Sequence, residues 1–92
     1  MHKYIWETPE EINMKIAAKL RRIRKRLGIS QAKLSELSGV SYGSVKRFES
    51  SGQISFLSLT KLAIALGTVD EIKALFENTP YRTIEEVINE QK

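Results

Sequence analysis

Cysteine is absent from all 92 residues, which excludes a disulfide framework and any thiolate-built metal site. Histidine occurs once, at His2, so no imidazole pair exists to relay a proton or share a metal ion. There is no glycine-rich phosphate loop, no paired acids in a plausible pocket, and little room for a cleft in so short a chain. Catalysis is therefore not expected, and neither a cofactor nor a metal is called for. No run of ~18 apolar residues is present, so nothing is expected to span a membrane. The start, Met1-His2-Lys3-Tyr4-Ile5-Trp6-Glu7, has no long apolar stretch and carries an early acid, which is not the pattern of a signal peptide. These absences together predict a cytoplasmic chain stabilised by packing alone. The apolar share of 41% is ordinary and suits one small domain over residues 1–92.

Acids are scarce in one part of the chain. From Lys15 to Arg47 there are ten Lys and Arg against one acid, Glu36, whereas from Val69 to Lys92 six acids face three bases. The first stretch suits a polyanion, because each phosphate a cation neutralises releases condensed counterions. A solvated helix face with no ligand fits the same charge count, so the local pattern has to decide.

The punctuation reads as a series of short helices. Thr8-Pro9-Glu10-Glu11 is a capping box with proline at the first helical position. It opens a helix whose apolar Ile12, Ile16, Leu20, Ile23 and Leu27 predict one buried stripe, ended by Gly28. Ser30 is expected to cap a second helix from Gln31 to Ser38, with Ala32, Leu34 and Leu37 inward and Gly39 as its stop. Ser41 is expected to cap a third through about Ser50, with Val45 and Phe48 inward. Ser50-Ser51-Gly52 breaks the chain. A fourth helix follows from about Phe56 to Leu66, burying Leu59, Leu62, Ala63 and Leu66 and ending at Gly67. Thr68-Val69-Asp70-Glu71 reads as another capping box before a short fifth helix with Ile72, Leu75 and Phe76. After a turn at Asn78-Thr79-Pro80, Thr83-Ile84-Glu85-Glu86 opens a last short helix. Tyr4, Ile5 and Trp6 could pair as a strand. The fold class is thus all-α: a compact five-helix domain over 9–76, an arm or strand at 1–8, and a C-terminal extension at 77–92.

The stretch from Ser30 to Ser50 carries the function. Two helices of under ten residues joined by Gly39-Val40-Ser41 cannot lie antiparallel over such a connection. A glycine-containing turn of this length sets them at ~90–120° instead, as in a DNA-binding helix-turn-helix. The order Gly28-Ile29-Ser30-Gln31-Ala32, Gly39-Val40-Ser41, Phe48-Glu49 and Leu62-Ala63-Ile64-Ala65-Leu66-Gly67 resembles the lambda repressor and Cro-like group, also called the Xre family. The resemblance covers about two thirds of the chain, from Lys15 to Phe76.

The resemblance implies a transcriptional regulator, a repressor being the first expectation, with recognition helix 42–50 in the major groove of double-stranded DNA. Its base contacts would come from Tyr42, Gly43, Ser44, Lys46 and Arg47. Arg47 is the first choice for direct readout, since arginine grips guanine O6 and N7 bidentately; a phosphate clamp is the plainer role for it. Gly43 stands where many relatives carry a polar residue, so one base contact is in doubt. Phosphate contacts are expected from Gln31, Lys33 and Arg22, and from Ser30, although a cap is the simpler role for Ser30. Lys15, Lys19 and Arg26 could flank the duplex with Arg22. Arg24 and Glu49 match a structural ion pair joining the first and third helices, so Glu49 is not expected to be a metal or catalytic ligand.

One recognition helix reads too few base pairs to single out a site. A homodimer on a palindromic operator is therefore expected, with Phe76, Tyr81, Ile84, Val87 and Ile88 as its contact or simply as completion of the core. The same surface, with the acidic last segment and the aromatic start at Tyr4 and Trp6, would serve the alternative of an antitoxin that regulates its own operon and binds a protein toxin. Such a chain would be bacterial or phage-encoded and nucleoid-associated when bound. RNA binding has no support, because no aromatic stacking platform is present.

Overall fold

Thr8 starts the first helix as its sequence dictates: its side chain accepts the Glu11 N–H while the Glu11 carboxylate accepts the Thr8 N–H, at 3.1 and 3.0 Å. The computed structural model describes residues 7–78. Over these residues the chain forms α1 (Pro9–Arg26), α2 (Gln31–Ser38), α3 (Tyr42–Ser51), α4 (Phe56–Leu66) and α5 (Val69–Lys73). No strand occurs among the described residues. The arm at Tyr4–Trp6 and the last helix opened by Thr83 fall outside them, as do Tyr81, Ile84, Val87 and Ile88. No helix among the described residues is long and apolar enough to cross a membrane.

Every helix from α2 to α4 opens on a serine. Ser30, Ser41 and Ser55 each sit in extended backbone and accept the N–H three residues on, which satisfies donors that the first turn would otherwise leave unpaired. The core is where these helices meet: Ala17, Leu34, Val40, Val45, Phe48, Leu62 and Leu66 form one buried cluster, with Leu20, Ile23, Ile29, Ile54 and Leu59 packed against it. α1 packs chiefly on α3, and α2 is gripped by both α3 and α4.

Four sequence expectations are corrected. The stripe of α1 holds only in part: Leu20 and Ile23 pack against the core, whereas Ile12, Ile16 and Leu27 are exposed and Ala17 and Arg24 are buried. The line Asn13–Ala17–Leu20–Arg24 faces α3 because Ala17 is small and because the backbone at Gly52 lies against Asn13. A Cβ on Gly52, whose φ is +79°, would sit 2.9 Å from the Asn13 carbonyl carbon. On α2 only Leu34 is buried, Ala32 and Leu37 being exposed; eight residues present one inward position to two neighbours. The box at Thr68 does not form, since Thr68 makes no side-chain cap. Its N–H and hydroxyl both turn back to the Ala63 carbonyl and close the end of α4. Leu75 and Phe76, beyond α5, are exposed rather than inward.

Candidate nucleic-acid interface

The turn between α2 and α3 is held by its own side chains. Gly39 takes φ +80°, a left-handed conformation that costs glycine little. The Ser35 hydroxyl donates to the Val40 carbonyl at 2.6 Å, and the Val40 N–H donates to Ser38 Oγ at 3.1 Å. With Val40 itself buried, the turn has no slack, and α3 leaves it in one direction.

α3 divides cleanly by face. Val45 and Phe48 are buried in the core, whereas Tyr42, Gly43, Ser44, Lys46 and Arg47 are all exposed on the other side. The inner face ends at Glu49, whose side chain is 5% exposed and would be intolerable there without cations. Arg24 supplies a fork: its Nε donates to Oε2 at 2.6 Å and its Nη2 to Oε1 at 2.9 Å. Arg24 Nη1 also donates to the Ile29 carbonyl at 2.8 Å, which ties in the loop before α2. Gln31 Nε2 donates to Oε1 at 2.8 Å, and Arg21 stands 3.8 Å away. Burial alone would push the Glu49 carboxyl up. The hydrogen bonds from Arg24 and Gln31, with the charges of Arg24 and Arg21, outweigh it and hold the group below the ordinary carboxylate range. One acid on α3 thus locks α1 and α2 to the helix that carries the exposed cations.

On the outer face, Lys46 Nζ lies 4.9 Å from the Tyr42 ring centre, a cation–π contact that orients both side chains. Ser44 is engaged with the cap Ser41, hydroxyl to hydroxyl at 2.9 Å. Arg47 is held by Gln53: its Nε and Nη2 both donate to Gln53 Oε1, at 3.1 and 2.8 Å. Ser44, Arg47, Gln53, Ser55 and Ser58 line a polar cleft between α3 and the start of α4.

The residues expected at phosphates are spread over two helices. Ser30 caps α2, and Lys33 lies 3.4 Å from Glu36. Gln31 spends its amide N–H on Glu49 and so braces α2 against α3. Arg22, Lys19 and Arg26 are exposed on α1, while Lys15 pairs with Glu7. Phe76, the one expected partner-surface residue inside the described range, is 87% exposed. Among the described residues, no three His, Cys, Asp or Glu side chains gather to hold a metal.

Sequence reasoning missed Gln53. Nothing in its type marks it, because the contact depends on Gly52 turning the chain back along the helix it has just left. Arg21 beside Glu49 was likewise hidden, as one of seven cations from Lys15 to Arg26.

A family model described as helix-turn-helix matches residues 20–72, more than half of the chain. No curated protein and no solved structure matches the chain.

Proposed function

Because the chain belongs to the lambda repressor/Xre-like helix-turn-helix family of DNA-binding regulators, we propose that it binds a specific double-stranded operator as a transcriptional repressor, with α3 in the major groove. The observation that carries this reading is the division of α3. Its inner face buries Val45 and Phe48 and is tied by Glu49 to α1 and α2, and its outer face offers Tyr42, Ser44, Lys46 and Arg47 to solvent. A helix held this firmly and left polar on one side suits an ordered ligand of fixed shape, and the cations give that ligand its charge.

Within this reading the contacts sort by chemistry. Arg47 reads a guanine edge with its fork, and Lys46 and Tyr42, stacked on one another, lie together along the sugar-phosphate. The first turn of α2, with the Lys33 ammonium and the N–H groups that the Ser30 cap does not take, meets a phosphate. Gln31 serves there mainly through Glu49, by holding α2 where that turn can reach the backbone. Arg22 adds charge beside the duplex. Two copies related by a two-fold axis place two α3 helices in successive major grooves, ~34 Å apart, on a palindromic site. Phe76, with Tyr81, Ile84, Val87 and Ile88 beyond the described residues, is the proposed contact between copies.

The test is selection of duplexes from a randomised library by the full chain, followed by titration of the enriched sequence at several salt concentrations. The reading predicts an inverted repeat, two chains per duplex, and affinity that falls linearly on a log–log plot against salt. Enrichment of no sequence overturns it.

A further inference from the structure

We infer that Gln53 is a positioning residue for Arg47, fixing one edge of the guanidinium so that the remaining donors meet a base edge in plane. The inference rests on the reading of α3 as the recognition helix. Its structural half stands on a closed ring of hydrogen bonds at the end of that helix. The Ser51 hydroxyl donates to the Arg47 carbonyl at 2.6 Å, and the Gln53 N–H donates to Ser51 Oγ at 3.2 Å. Gln53 Oε1 then accepts two N–H groups from the Arg47 side chain, at 3.1 and 2.8 Å. The main chain of Arg47 is therefore tied to Ser51, the last residue of α3, and its side chain to Gln53, just past the helix.

Gln53 is in turn placed by the core. Gly52 ends α3 at φ +79° and lies so close to Asn13 of α1 that a Cβ would stand 2.9 Å from backbone. The residue after Gly52 is thereby registered against α1, not left to a free loop. The identity of the contact follows from donor chemistry. A guanidinium has only donors, so the glutamine oxygen must face it, and the glutamine NH2 stays outside. Of the five N–H groups of Arg47, Nε and Nη2 use two on Gln53, leaving three, at least one on each Nη. That pair is the end-on fork that guanine O6 and N7 require.

A phosphate accepts from many directions, whereas a base edge accepts only in its own plane. Holding Arg47 before binding therefore improves discrimination between sequences more than general affinity. Immobilising one such side chain in advance is worth about 2- to 10-fold.

The experiment compares the wild type with Gln53→Ala, Arg47→Ala and the double variant, using the enriched duplex and a scrambled one in fluorescence anisotropy across a salt series. Expected is a loss of about 2- to 10-fold in the preference for the enriched duplex in Gln53→Ala, with unchanged salt slope. The double variant should be no worse than Arg47→Ala, because the two residues act as one unit. In parallel, 15N relaxation of the Arg47 Nε–H in the DNA-free chain should show an ordered group in wild type, a mobile one in Gln53→Ala, and order regained in Gln53→Glu, which keeps an acceptor. Additive losses, a salt slope reduced by about one in Gln53→Ala, or equal Arg47 mobility in wild type and Gln53→Ala would overturn the inference. If the wild type enriches no sequence, the regulator reading fails on its own, and the relaxation arm still decides whether Gln53 holds Arg47.

Discussion

Arg24 of α1 and Glu49 of α3 meet edge to edge, Nε to Oε2 at 2.6 Å and Nη2 to Oε1 at 2.9 Å, with both side chains less than a tenth exposed. Removing either partner leaves a buried charge without its counter-ion, which costs about 3–5 kcal/mol. Glu49→Ala is therefore expected to lower the unfolding free energy by roughly that amount. Arg47→Ala, at an exposed site, should change it by about 0.5 kcal/mol or less. Urea denaturation of the two variants beside wild type measures both; equal midpoints for wild type and Glu49→Ala would contradict the pair's role.

The same pair sets a pH dependence. Because the folded state holds the Glu49 carboxyl below its ordinary value of 4.5, the stability it contributes is complete above that value. It is lost as pH falls through the lower, folded-state value. Stability should drop in acid more steeply for wild type than for Glu49→Gln, and the two curves should run parallel above about pH 6. Denaturation midpoints between pH 2 and pH 7 test this. A wild-type acid limb no steeper than that of the variant is the contrary result.

Gly39 and Gly52 both end helices at φ near +80°, yet their surroundings differ. Alanine at Gly39 meets open space and should cost only the left-handed backbone penalty, about 1–2 kcal/mol. Alanine at Gly52 adds a clash with the Asn13–Met14 backbone at 2.9–3.0 Å, so α1 has to move. Gly52→Ala should therefore be clearly the less stable of the two by thermal melting.

Much of this architecture was legible because helix ends are written locally. Threonine and serine caps marked the starts of α1, α2 and α3, and glycine stops the ends of α1, α2 and α4, since a cap is satisfied within three residues of itself. What depends on contact between distant segments was not legible. The apolar spacing Ile12–Ile16–Ile23–Leu27 describes a face of α1, but Gly52 pressing on Asn13 decides which face is covered. Thr68 has the composition of a capping box, yet the Ala63 carbonyl at the end of α4 takes its hydroxyl. At the site, Arg24 and Glu49 came from the family resemblance, not from any local rule. The Arg47–Gln53 contact had no sequence signal, because it exists only once Gly52 has turned the chain.

Among the cations of α3, Lys46 is expected to act on the backbone of DNA. It stacks on Tyr42, which directs it along the helix flank. Lys46→Ala should weaken binding to enriched and scrambled duplexes alike and reduce the salt slope by about one. A loss confined to the enriched duplex would instead assign Lys46 to base reading.

The most direct test of the account compares wild type and Arg47→Ala on enriched and scrambled duplexes across a salt series. If α3 reads sequence through Arg47, the variant should lose about 1–3 kcal/mol of preference for the enriched duplex while its salt slope changes little. A uniform loss on both duplexes, with the slope lowered by about one, would make Arg47 a phosphate clamp and contradict the central claim.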